Sequence, residues 1–386
     1  MRSSRGKRAI VLGRLAGHVL VAALCLETAA RLDDKFSYGA PFWRYYDPDG
    51  LRAPDAEGVV RNVPGASFEK WRINALGFRG ETIALERVPG RRRIGCLGTS
   101  ETFGLYERES GEWPARLGRL LKEKSHPDVD VFNASVVGLN RGTRQRYVDK
   151  YVLPLRPDVL VLYLNVLSEA SYRPPLPGTS APPAGASLWA RLPASRVLPK
   201  LRRAVRKLVP DSIWRRYRVW SLSRAVRRGE AAVLGTRPSA DVLPAEAASR
   251  FEAYLRDLIG AERERGIAPV LATYPTLGAV TNRERYRAEF LDERIWHLEL
   301  SELGMIDAAT RLNDVIRRVG GELAVPVADA DAALPKTSDY FSDYVHYTDA
   351  GAELVAGTVF AALERAGLLE SGVTPVKRVE TVERPR

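Results

Sequence analysis

The chain has 386 residues, 45% of them hydrophobic, which suffices for one large buried core and by length alone would allow two domains. Its net charge of +12 and pI near 9.8 raise a nucleic-acid or membrane partner, which the placement of the charge along the chain has to separate. Two cysteines, Cys25 in an apolar segment and Cys96 in an expected strand, give neither a disulfide framework nor zinc-site spacing.

Arg2, Arg5, Lys7, Arg8 and Arg14 precede an uncharged run from Leu15 to Leu26, which ends at Glu27. Basic residues ahead of an apolar run mark an export signal whose start stays in the cytoplasm. The run is short for a span, but Arg14 can snorkel and extend the apolar stretch back to Ala9. Residues 1–32 are therefore read as a membrane anchor, with cleavage after Thr28-Ala29-Ala30 as the alternative. Residues 33–71, rich in aromatics, Pro, Gly and Asp without a sustained period, read as an extended tether.

Beyond the tether, short apolar runs alternate with helical patterns. Strands are expected at Ile94 to Gly98, Val129 to Ala134, Val159 to Asn165, Ala268 to Tyr274 and Leu323 to Ala328. Helices are expected near Glu112 to Lys124, Arg141 to Val152, Ala245 to Arg265, Met305 to Val319 and Asp349 to Ala366. Such alternation implies a three-layer α/β/α sandwich around a five-stranded parallel sheet, spanning residues 72–172 and 245–369. Sheets of this kind bind ligands beyond the carboxyl ends of their strands. Ser100, Gly138 and Asn165 each follow an expected strand at that end.

Residues 173–244 interrupt the alternation, and residues 370–386 form a tail. Pro174, Pro175, Pro177, Pro182 and Pro183 make the first part of the insertion a stiff or disordered linker. From Arg191 to Arg228 there are thirteen Lys or Arg against one acid, Asp211, a local +12 that equals the charge of the whole chain. The rest of the protein is thus near neutral. A nucleic-acid binder would spread basic groups over a reading face, so that partner is disfavoured. Leu198, Leu201, Val205, Leu208 and Val209 recur at helical spacing among Arg202, Arg203, Arg206 and Lys207, and aromatic residues follow. That pattern suits an anionic membrane surface, an acidic polysaccharide, or a basic helical lid that packs on the domain and shows its charges to water.

Two short motifs carry chemistry. In Gly98-Thr99-Ser100 a strand stops at glycine and presents a serine, which is either a nucleophile's position or an ordinary helix cap. In Asp343-Tyr344-Val345-His346 a carboxylate can orient an imidazole and leave its other nitrogen free to take a serine proton. His297 has acids nearby but no second histidine at ligand spacing, and reads as a surface or packing residue. Tyr274-Pro275-Thr276 either shapes the rim of the site or is only a turn after the strand.

Gly98-Thr99-Ser100-Glu101-Thr102-Phe103-Gly104, Gly138 in Asn133-Ala134-Ser135-Val136-Val137-Gly138, and Asp343-x-x-His346 resemble the first, second and fifth blocks of the SGNH/GDSL hydrolase family. Asn74-Ala75-Leu76-Gly77-Phe78-Arg79-Gly80 is similar to a lead-in of membrane-anchored bacterial members, and the resemblance runs from about Arg72 to Leu363. It implies Ser100 as nucleophile, His346 as general base, Asp343 as its orienting partner, and the Ser100 and Gly138 amides as oxyanion donors, with no metal or organic cofactor. The sequence departs from the family twice. Thr99 stands where the first block usually has aspartate, and Leu167 where the third block has its oxyanion asparagine. Asn165, two residues earlier, would face the same side of an extended segment.

The implied activity is hydrolysis of O-acyl esters, above all acetyl groups on a cell-envelope or exported polysaccharide, by a domain outside the cytoplasm. O-acetyl transfer to a sugar and a catalytically silent carbohydrate-binding or assembly role are the alternatives. The sequence leaves the oligomeric state open.

Overall fold

The computed structural model describes residues 2–38, 42–43, 51–171 and 195–370. The Pro-rich start of the insertion and residues 371–386 of the expected tail lie outside the described residues. The chain opens with helix α1 (Arg2–Tyr38), 37 residues or about 55 Å of continuous helix. Within it Gly13–Ser37 is long and apolar enough to be a membrane span or a signal sequence. The helix runs past residue 32 into the expected tether, because Leu26 to Lys35 is rich in helix formers and Arg31 pairs with Glu27 one turn back (2.9 Å).

The rest of the expected tether is also more ordered than its composition suggests. Strands β1 (Arg52–Pro54) and β2 (Val60–Asn62) pair antiparallel, as do β3 (Ser67–Phe68) and β4 (Trp71–Arg72). Leu51, Ala66, Phe68, Trp71 and Ile73 form a small second core with Phe103. These hairpins therefore pack directly beside the segment that carries Ser100.

The main domain follows in chain order. Strand β5 (Arg92–Leu97) leads to α2 (Ser100–Phe103) and α3 (Trp113–Glu123). Strand β6 (Val129–Asn133) leads to α4 (Arg141–Tyr147), which continues as a π-helical turn over Val148–Val152. Strand β7 (Val159–Tyr163) leads to α5 (Val166–Ala170). The insertion supplies α6 (Val197–Leu208) and α7 (Asp211–Val233). Then come α8 (Ala245–Glu264), β8 (Ala268–Ala272), α9 (Arg287–Arg294), α10 (Glu302–Glu322), β9 (Val327–Ala328), α11 (Ala330–Ala333) and α12 (Asp349–Arg365).

The five long-range strands form one parallel sheet in the order β6-β5-β7-β8-β9. Helices α3 and α12 pack together on the sheet, and α5, α8 and α10 form the second helical group. Every residue of the central strand β7 is buried, as a strand covered on both faces requires. Fully burying a Val, Leu or Ile there contributes about 1.5–3 kcal/mol. The order reverses between β5 and β7, so a crevice opens at their carboxyl ends. All five expected strands are present; the last is shorter, because Leu323 to Pro326 leaves α10 through a turn with Ala324 at φ 49°.

Candidate active site

Strand β5 ends at Gly98, where a side chain would overlap Thr102 and crowd Tyr163 O at 3.2 Å. Only glycine lets the chain turn this tightly between β5 and β7. Thr99 stands before α2 and Ser100 is its first residue. The helix closes after one turn, with Gly104 in the left-handed region (φ 82°) and its N–H on Ser100 O (2.9 Å). Arg79, from the lead-in segment, donates to the carbonyls of Phe103 and Gly104 and lies 3.3 Å from Glu112 in a fully buried ion contact.

The residue after the serine organises the floor. Glu101 is 1% exposed and accepts hydrogen bonds from Asn165 Nδ2 (2.8 Å) and from the hydroxyls of Tyr274 and Thr99. One buried carboxylate thereby ties together the ends of β5, β7 and β8. Asn165 also caps α5, its Oδ1 accepting from Ser168 N–H (2.9 Å). Tyr274 is thus a buried part of the floor rather than a rim turn. Leu167 is buried.

The loop after β6 is held from two sides. Asn133 Nδ2 donates to Thr102 O (2.9 Å), and its Oδ1 accepts from Ser135 N–H (3.1 Å). Asn62 on β2 donates to Ser135 O (2.9 Å), and Arg52 on β1 donates to Val137 O. Gly138 then adopts φ 72°, where a side chain would be strained and would also meet the Arg52 guanidinium.

The acid and the imidazole lie on the loop before α12. Asp343 Oδ2 accepts from His346 Nδ1 (2.7 Å), while its Oδ1 accepts from the N–H groups of Val345 (2.9 Å) and His346 (2.8 Å). Ser342 N–H donates to His346 O (2.8 Å), closing the loop on itself. His346 Nε2 is buried and has no hydrogen-bond partner, so it is not bonded to Ser100 Oγ. The ring packs edge-on against Tyr106, six residues after Ser100, with centroids 5.4 Å apart.

Electrostatics follow from this packing. Burial works against charging His346, but Asp343 at Nδ1, with Glu101 and Glu293 close by, pushes its pKa up to about 9. Burial raises Asp343, yet His346 and the two backbone N–H groups outweigh it and hold its carboxyl below the usual range. Burial also lifts Glu107, near His346 and Arg79, to about 7.

The structure thus brings Asp343 and His346 into direct contact. Ser100, Gly138 and Asn165 occupy the ends of β5, β6 and β7 on the same sheet edge. Glu101, Tyr106 and Arg52 are neighbours that the sequence reading gave no role. His297 is buried, between Ser171 Oγ (3.1 Å) and Glu293 (3.2 Å), as a packing residue should be. Among the described residues no cluster of metal-binding side chains occurs.

No protein-family model matches the chain, and no curated protein matches it in sequence. Among solved structures it is similar to a lipase/acylhydrolase from Enterococcus faecalis, at 17% identity and TM-score 0.42, covering 73% of this chain and 98% of that one. It is also similar to the acetyl xylan esterase AlAXEase (16%, TM-score 0.40, 70% and 99%). A third is an acetyl xylan esterase from Geobacillus stearothermophilus (13%, TM-score 0.38, 70% and 94%). With a parallel sheet ordered β6-β5-β7-β8-β9, a Gly-x-Ser turn after β5, a left-handed glycine after β6 and an Asp–His pair before the last helix, the chain is a three-layer α/β/α sandwich that carries the motif residues of the SGNH/GDSL resemblance at the carboxyl ends of its strands.

Proposed function

We propose that the protein is a serine esterase of the SGNH type that removes O-acyl groups, acetyl above all, from a cell-envelope or exported polysaccharide. The observation that carries this reading is the Asp343–His346 pair, whose free Nε2 lies on the loop packed against the segment just after Ser100. His346 Nε2 takes the Ser100 proton as Oγ attacks the ester carbonyl. The backbone N–H groups of Ser100 and Gly138, with Asn165, stabilise the oxyanion. Collapse expels the sugar hydroxyl, which receives the proton from His346. Water, deprotonated by the same nitrogen, then releases the acid and restores the serine. Asp343 holds the ring and stabilises its cationic form throughout. Helix α1 anchors the domain, which faces the outside of the cytoplasm.

One feature favours a second reading. Asn165 is engaged with Glu101, and Leu167 offers no donor; a missing oxyanion donor costs about 3–4 kcal/mol of transition-state stabilisation. A catalytically silent, carbohydrate-binding relative would tolerate that loss. The test incubates the full chain in detergent with a chromogenic acetyl ester, with and without an oligosaccharide acceptor. Chromophore release that needs no acceptor and vanishes in Ser100→Ala is the expected result. Release only with acceptor assigns O-acetyl transfer. Turnover unchanged in Ser100→Ala removes the site, and no turnover with no labelling by a serine-directed phosphonate leaves the silent protein.

A further inference from the structure

The insertion builds a feature that ester chemistry alone does not require. Helices α6 and α7 enclose two adjoining clefts of about 690 Å³ each, which share Arg202 and Trp214. The outer cleft is lined by Leu198, Arg206 and Lys207 in addition. The inner one adds Tyr217, Arg218 and Asp292, the last from α9. The guanidinium groups of Arg202 and Arg206 stand 5.8 and 5.6 Å from the Trp214 ring. Along α7 the rings of Trp214, Tyr217 and Trp220 follow one another at 5.7 and 6.1 Å. Among the described residues, neither Arg202 nor Lys207 forms a close ion pair, although Arg202 acts on Asp292 across the inner cleft, and Arg206 pairs with the exposed Asp211, which a ligand carboxylate would replace.

The inner cleft borders the candidate site through α9. Arg218 donates to Asp292 (3.1 Å), and Phe290 on the same helix packs on Tyr344 at 4.8 Å, next to Asp343 in sequence. One wall of the cleft is therefore the element that backs the catalytic loop.

We propose that the α6–α7 clefts bind a run of an acidic polysaccharide, carboxylates on Arg202, Arg206 and Lys207 and sugar faces on Trp214 and Tyr217, and deliver its acylated residue to Ser100. This deepens the esterase reading by naming its substrate class. Aromatic faces spaced along a basic helix suit a polymer that is both ringed and anionic.

A bilayer surface would also meet cationic and apolar groups, but the direction of α6 argues against it. Ser195 and the Arg196 N–H contact Glu27 at the end of the apolar run of α1, whereas Lys200 reaches Asp33 and Asp34, more than a turn further along α1. Helix α6 thus climbs away from the apolar run, and its last exposed apolar residue, Leu208, lies far from it along the helix.

The test uses the full chain carrying Ser100→Ala, in nanodiscs of zwitterionic lipid, so that binding is read whether or not the protein turns over. The probes are a partly acetylated oligogalacturonate, a neutral acetylated xylo-oligosaccharide of equal length, and phosphatidylglycerol vesicles. Expected are at least tenfold tighter binding of the acidic oligomer, weakening with salt, and a loss of tenfold or more in Arg202→Ala/Arg206→Ala and in Trp214→Ala. Arg202→Lys/Arg206→Lys should recover most of the charge-dependent part, and circular dichroism should show α6 and α7 still helical. Equal affinity for both oligomers, binding unaffected by these variants, or variants that lose vesicle binding alone would overturn the proposal. Tight acidic binding without any esterase turnover in the unsubstituted chain would retire the esterase and leave the cleft.

Discussion

At the scale of single residues, the Asp343–His346 pair makes the sharpest statement about pH. His346, raised from its ordinary 6.5 to about 9 by its carboxylate neighbours, is cationic at neutral pH in the free protein. On the proposed mechanism only the neutral ring accepts the Ser100 proton. The sign is then fixed: kcat/KM should climb with pH and level off near 9, falling about tenfold per unit on the acid side. Asp343→Asn removes the largest raising influence, so the limb should move to lower pH while the plateau drops. A profile already flat from pH 6 upward would disprove the role of His346. The same pair stabilises the fold in a window. The contribution of His346 is complete below about 6.5 and fades as pH rises through about 9, and that of Asp343 is present above its ordinary 3.8 and fades below it.

At the scale of elements, the short helix α2 is too brief to hold itself and depends on Arg79. One turn of helix has almost no intrinsic stability. Arg79 grips its last carbonyls, Phe103 O and Gly104 O, and neutralises Glu112 in the same buried space. Arg79→Ala leaves that acid and Phe103 O without a partner, while Gly104 O keeps only the Trp71 indole N–H (3.3 Å), and should cost about 3–5 kcal/mol, read as a shift of the urea midpoint. Arg79→Met/Glu112→Met should recover part of the loss, but not all, because Phe103 O stays unserved. A single variant within 1 kcal/mol of the parent would show that α2 is held otherwise. Sequence made the frame of these elements legible: Ile94 to Leu97 and Val159 to Tyr163 are unbroken apolar runs, and Asp349 to Arg365 keeps a helical period. It was silent on β1 to β4, whose two or three residues carry no period, and on α9, whose Arg287–Arg294 segment is mostly charged. It was also silent on Glu101, because its partners Asn165 and Tyr274 lie 64 and 173 positions away and only the fold brings them together.

At the scale of the whole molecule, the question is how the N-terminal helix and the basic insertion are coupled to the site. The described residues of α1 contribute nothing to either hydrophobic core, so the α/β domain does not need α1 for its own packing. Helix α6 does. Its start has no cap of its own, and the carboxylate of Glu27 serves instead, accepting from Ser195 Oγ (2.8 Å) and from the N–H groups of Arg196 (3.0 Å) and Val197 (3.4 Å). An anion at a helix start is worth about 0.5–2 kcal/mol, which is large for a helix of 12 residues with no buried side chain. Lys200 adds ion pairs to Asp33 (2.5 Å) and Asp34 (2.8 Å), nearly two turns further along α1. Helix α1 therefore orders one wall of the cleft that adjoins the candidate site. In the full chain, Glu27→Ala should speed amide hydrogen exchange across Val197–Leu208 several-fold, while amides of β5 and β7 keep their protection and the main thermal transition moves by no more than about 2–4 °C. If exchange in α6 does not change, the helix is held by its own sequence and α1 serves only as a tether. If protection of β5 and β7 falls together with that of α6, then α1 is part of the domain's stability, and the separation of N-terminal helix, cleft and core read from these contacts is wrong.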